Sequence, residues 1–133
     1  MAITQGSHHL GLTVPNITAT RNFFVDVLGF EQVGEVPDYP AIFVSDGSIM
    51  LTLWQVVDPD NATAFDRKNN IGLHHFALKV DNLATLKSIH QTLLNTAGVE
   101  IEFAPEPLQG LPAHHMMFYI PGGIRMELIA LSK

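Results

Sequence analysis

The chain has 133 residues, 47% of them hydrophobic and 15% charged, which suits one globular domain able to bury roughly two thirds of its unfolded surface and excludes a disordered tail. Seven Lys and Arg against thirteen Asp and Glu leave a net charge of −6, so there is no basic stripe for nucleic acid. The absence of cysteine excludes disulfides, thiolate ligands and a cysteine nucleophile, leaving imidazole and carboxylate to explain the seven histidines.

No apolar run reaches the length of a membrane span, and Met1 to Gln5 carries no charged region leading into an apolar one. The expectation is a cytoplasmic protein with no membrane partner.

In chain order, residues 8–15 (His-His-Leu-Gly-Leu-Thr-Val-Pro) alternate apolar and polar positions with Leu10, Leu12 and Val14 on one face, the period of a half-buried strand. Asn16 suits a helix N-cap, Ile17, Phe23, Phe24, Val27 and Leu28 form the apolar stripe of a first helix, and Gly29 ends it. Strand-like runs follow at about 30–36, 40–45 and 48–56, with a Ser45-Asp46-Gly47 turn before the last. Residues 57–70, polar and rich in Asp and Asn, form a connector.

The pattern then repeats. Residues 74–81 (His-His-Phe-Ala-Leu-Lys-Val-Asp) match 8–15 at an offset of 66, and such self-similarity marks duplicated structural units. Asn82 is the second N-cap, Leu83, Leu86, Ile89, Leu93 and Leu94 the second stripe, and Gly98 its stop. Strands are expected at 99–104, 113–120 and 124–131, the last preceded by Pro121-Gly122-Gly123. The reading is one α+β domain over 1–133, with a βαβββ module at about 6–56 and another at about 71–133.

On the face of each first strand opposite its apolar residues lie His9, Gly11, Thr13 and His75, Ala77, Lys79, a histidine followed by small or slender side chains, as a concave site requires. The last strand holds one carboxylate, Glu127, among apolar neighbours. A buried carboxylate needs a positive partner. Arg125, two residues away on the same face, is one candidate, and a metal ion shared with the two histidines is the other. By strand alternation His8 and His74 point away from His9 and His75, while His90, Met116, Met117 and Met126 read as packing residues.

These segments together resemble the vicinal-oxygen-chelate superfamily, which includes glyoxalase I, extradiol dioxygenases, fosfomycin-resistance transferases, methylmalonyl-CoA epimerase and bleomycin-resistance proteins. The resemblance runs from His9-Leu-Gly-Leu-Thr-Val-Pro-Asn16 and Phe23-Phe24-Val-Asp-Val-Leu28-Gly29-Phe30, through Gly72-Leu-His-His75-Phe-Ala-Leu-Lys-Val-Asp81, to Phe118-Tyr119-Ile-Pro121-Gly-Gly-Ile-Arg-Met-Glu127-Leu. It implies a half-open, cup-shaped mixed β-barrel with helices outside. It also implies one divalent ion (Fe2+, Mn2+, Zn2+ or Ni2+) on His9, His75 and Glu127, a small substrate chelating that ion through neighbouring oxygens, and a homodimer with its sites at or near the interface.

Thr52 stands where glyoxalase I and the epimerase carry a fourth ligand, and a threonine hydroxyl is a poor ligand and no carboxylate base. The ligand set therefore resembles that of extradiol dioxygenases, with a glyoxalase I-like lyase or a thiol transferase as alternatives and a metal-free binding protein of bleomycin-resistance type as the rival of another class. His114 or His115 is expected to move protons. Tyr119 resembles an active-site tyrosine of the family, and Thr13, Thr52 and Trp54 are expected to shape the substrate pocket.

Overall fold

The computed structural model describes residues 1–131. It contains two compact units that divide between Ala62 and Thr63, inside the polar connector.

The first unit is built from β1 (His9–Val14), α1 (Ile17–Asn22), β2 (Glu31–Val36), β3 (Ala41–Ser45) and β4 (Met50–Gln55). Its sheet has the order β1-β4-β3-β2, with β1 and β4 parallel and the other neighbours antiparallel. Leu12, Val14, Val44, Leu51 and Leu53 are buried on the face packed by the helix. The Asn16 carboxamide accepts from the Ala19 amide at 3.0 Å, which starts the helix as its sequence requires. The helix then widens into a π-helical turn over Phe23–Val27, where the Leu28 amide donates to the Phe23 carbonyl. The adjacent Phe23 and Phe24 are both in the core, with the Phe30 ring tilted against that of Phe24 at 5.1 Å. Phe30, expected at the head of a strand, is instead a core residue beyond the Gly29 turn, and β2 starts one position later.

The second unit repeats this plan with β5 (Phe76–Val80), α2 (Leu83–Leu94), β6 (Glu100–Pro107), β7 (Ala113–Tyr119) and β8 (Arg125–Leu131), in the order β5-β8-β7-β6. Asn82 caps α2 through the Thr85 amide, and Leu86 and Leu93 are buried beneath the helix. Leu94, assigned to the apolar stripe by its spacing, is exposed, because it lies one residue around the helix from Leu93. β6 runs on to Pro107 instead of stopping near 104, since an edge strand tolerates proline where an interior one loses a ladder hydrogen bond.

This connectivity has one consequence for chemistry. In each unit the last strand is the parallel neighbour of the first, which forms one edge of the sheet, so Gly11 pairs with Thr52 and Ala77 with Glu127. The repeated histidines and the last-strand positions are thereby set side by side within their own sheets.

Candidate functional site

In the first unit the face opposite α1 carries His9, Gly11 and Thr13 on β1 beside Thr52 and Trp54 on β4. Thr52 is buried, and its hydroxyl accepts a hydrogen bond from the Trp54 indole at 2.9 Å. A side chain at position 11 would meet that pair, with Thr52 Oγ1 at 3.1 Å from an added Cβ, so glycine is what lets the indole lie across β1. Tyr39 and Phe43 stand edge-on or tilted against Trp54. Thr13 lies opposite Trp54 in register and is exposed.

In the second unit Glu127 is buried in the middle of β8. Its Oε2 lies 2.5 Å from His115 Nδ1 and its Oε1 lies 3.4 Å from His75 Nε2. His115 comes from β7, where it pairs with Ile129, and its ring meets that of Phe103 at 5.0 Å. Glu106 stands farther off, 4.0 Å from His115 Nε2. Strand alternation sends His114 to the opposite face, so of the two neighbouring histidines only His115 reaches Glu127.

Arg125 is not the partner of Glu127. Its guanidinium grips Glu102 through two hydrogen bonds, Nε to Oε1 at 2.9 Å and Nη2 to Oε2 at 2.7 Å, the forked geometry that arginine favours with a carboxylate. Glu102 also accepts from the Tyr119 hydroxyl at 2.9 Å and from Arg67 on the connector. Glu100 pairs with Tyr119, so alternation along β6 places Glu102 on the face of Tyr119 and Arg125, and the β-bulge that pairs Ile101 with Phe118 and Phe103 with Met117 turns Phe103 to that face as well.

The electrostatics follow the contacts. The hydrogen bond from Arg125 holds Glu102 down to about 2, against the opposing effect of burial. Burial, then Glu102, pushes the Tyr119 hydroxyl up, while Glu102 raises Arg125 further. His74 is lowered by desolvation and by its neighbours His75, Arg125 and Arg67.

His8 and His74 do not turn away from their neighbours. Nδ1 of His8 lies 2.8 Å from Nδ1 of His9, and Nδ1 of His74 lies 2.7 Å from Nδ1 of His75. Strand alternation fails here because His8, His74 and His75 precede the hydrogen-bonded ladders that would enforce it. Glu102, Arg67 and His74 are thus site-side residues that spacing alone missed. The only sequence signal was a carboxylate within the otherwise apolar Ile101-Glu102-Phe103 run. An open cavity of about 580 Å³ lies between the connector and Tyr119, with Arg67 in its wall.

His9 and Thr52 belong to one unit and His75, His115, Tyr119 and Glu127 to the other. Among the described residues no group of three histidine or acidic side chains is placed so as to hold a metal ion. The Met116, Met117 and Met126 side chains are buried, as their packing role requires.

Residues 6–128 match the profile of the Glyoxalase/Bleomycin resistance protein/Dioxygenase superfamily. The chain belongs to that superfamily. Over 84 residues it is 33% identical to mitochondrial methylmalonyl-CoA epimerase of Mus musculus, a match covering 58% of this chain and 47% of that protein. The chain therefore spans about half the length of the curated relatives it matches.

Among solved structures, a glyoxylase/bleomycin resistance protein/dioxygenase domain from Frankia superposes with a TM-score of 0.79 at 18% identity, over 98% of this chain and 94% of that one. A glyoxalase family protein from Enterococcus faecalis does so at 0.73 and 26% identity, over 96% and 99%. The glyoxalase superfamily includes enzymes, the epimerase among them, and the paired strand-helix-strand-strand-strand units of this chain are its α+β fold. No helix among the described residues is long and apolar enough to cross a membrane.

Proposed function

We propose that the protein is a metal-dependent enzyme in which His9, His75 and Glu127 hold one divalent ion that receives a small substrate through two neighbouring oxygens. The observation that carries this reading is the environment of Glu127. It is a buried carboxylate whose nearest arginine is committed to another acid and whose two oxygens face imidazoles. The spacing also suits ligation. Two cis donors on an ion bound at its usual 2.0–2.2 Å stand about 3 Å apart, close to the 3.4 Å between His75 Nε2 and Glu127 Oε1. His9 is the third donor by the repeat, occupying in its own module the position that His75 holds in the second.

The ion, when bound, supplies Lewis acidity to the chelated oxygens. Glu127 would hold the ion with Oε1, since its Oε2 is engaged by His115 at 2.5 Å. His115 in turn keeps Nε2 for the substrate and moves a proton there. Thr52, with its hydroxyl engaged by Trp54, adds no fourth carboxylate, so the open positions favour an oxygen-dependent reaction of extradiol type. Proton transfer of epimerase type is a second reading, favoured by the 33% identity to methylmalonyl-CoA epimerase.

Elemental analysis of protein purified without chelator tests the site. Wild type should carry about one divalent ion per chain and His75→Ala should lose it. Equal metal in both would sink the assignment, and a metal-free wild type would favour a sequestering protein. Reconstitution with iron(II) under nitrogen, followed by air, separates the reactions. Oxygen uptake with catechols supports the first, whereas turnover of methylmalonyl-CoA or of a glutathione hemithioacetal without oxygen uptake supports proton transfer.

A further inference from the structure

Two arginines meet at one carboxylate. Arg125 grips Glu102 side-on, through Nε at 2.9 Å and Nη2 at 2.7 Å, and that forked pair already neutralises the acid. Arg67 brings a second guanidinium but engages it through Nη1, which donates to Glu102 Oε1 and, at 2.5 Å, to the Tyr119 hydroxyl. The Nε and Nη2 edge of Arg67 is the same fork with which Arg125 holds its acid, and it has no partner among the described residues. The side chain is nonetheless mostly covered, with 23% of its surface exposed. A guanidinium neither accepts a hydrogen bond nor gives up its charge, so this edge lacks an acceptor, and an anionic one satisfies it best.

We infer that Arg67 is an oxyanion-binding residue, whose fork receives a carboxylate or phosphate group of a ligand seated between the connector and Tyr119. The cavity there has Arg67 and Lys68 in its wall, and its volume of about 580 Å³ is of the size that holds small organic ligands. Asp66 is the acid of that wall, and its Oδ1 is taken up by the Lys68 and Asn69 amides. Arg67, Lys68 and Arg125 thus outnumber Asp66 and Glu102, so this corner is positive in a chain whose net charge is −6. Glu102 and Tyr119 hold Nη1 from one side, so the fork is presented in one orientation and little side-chain freedom is lost when an anion arrives. No hydrogen bond joins Arg67 to His75 or Glu127, so the site stands whether or not a metal is bound there.

The arginines of the chain are Arg21, Arg67 and Arg125, so their Nε–H signals can be followed one by one in 1H–15N spectra. In 15N-labelled protein titrated with sodium acetate or inorganic phosphate at constant ionic strength, the Arg67 signal should shift and saturate. That of Arg125, already committed to Glu102, should stay nearly still. Saturation at lower phosphate than acetate assigns the site to a phosphate group, and the reverse order assigns it to a carboxylate. Arg67→Lys keeps the charge but loses the fork. It should weaken binding roughly 10-fold, the effect of one charged hydrogen bond, read on the backbone amides of Lys68 and Asn69. A wild-type Arg67 signal that drifts without saturating overturns the inference, and that titration decides the matter even if the variant folds poorly. Undiminished affinity in a folded Arg67→Lys overturns it too, since charge alone would then suffice.

Discussion

Glu102 receives two guanidinium groups and a phenol, and this sets how it titrates. Its carboxyl is lowered from 4.5 to about 2 in the folded chain, so the unfolded chain binds the proton more tightly. The stability it contributes is then complete above the unfolded value and is lost as pH falls from 4.5 toward about 2. In urea melts, the gap between wild type and Glu102→Gln should be open at neutral pH and should narrow through that acidic window. A gap independent of pH would contradict the assignment. His115 and His114 make a second contrast. His115→Ala leaves a buried Glu127 oxygen without its 2.5 Å partner, which should cost about 1–3 kcal/mol and abolish turnover. His114→Ala, on the opposite face, should leave turnover near wild type, and steady-state rates beside denaturation midpoints check both.

At the level of elements, the parallel pairing of β1 with β4 makes Gly11 the floor under the sole tryptophan. A methyl at position 11 would press on the Thr52 hydroxyl from 3.1 Å and on the indole nitrogen from 3.5 Å. Gly11→Ala should displace Trp54 and lengthen its bond to Thr52, at a cost of about 1–3 kcal/mol typical of overpacking. Because no other tryptophan is present, a shift in intrinsic fluorescence reports the displacement directly. Unchanged emission would mean that the indole does not lie over Gly11. The bulge in β6 plays the matching part in the second unit, turning Phe103 to the face where its ring meets His115.

For the whole molecule, the chain is expected to sediment at twice its 14.6 kDa mass, as a two-fold homodimer whose sites draw on both copies. Subunit mixing tests this. In a heterodimer of His9→Ala and His75→Ala chains, a site built across subunits combines one intact His9 with one intact His75. Metal content should then recover to about half the wild-type level, the share expected when one of two symmetric sites is whole. Recovery failing in a confirmed heterodimer would place all three donors in one chain, and a monomer with bound metal would rule the dimer out.

The amino-acid sequence by itself determined the duplication, the two capped helices, the glycine turns and the faces of the residues within the first-strand ladders. These are local properties, set by apolar spacing of two or 3.6 residues and by which side chains can cap or turn a backbone. It could also single out Glu127 as a carboxylate in need of a partner. Which partner it has was decided only in three dimensions. Arg125 is near in sequence but is captured by Glu102 across β7, and His115 reaches Glu127 because β7 and β8 share one register. Cross-strand pairing depends on register, which alternation along one strand does not encode. The His74–His75 contact escaped for a similar reason, since its residues precede the ladder that would have set them on opposite faces.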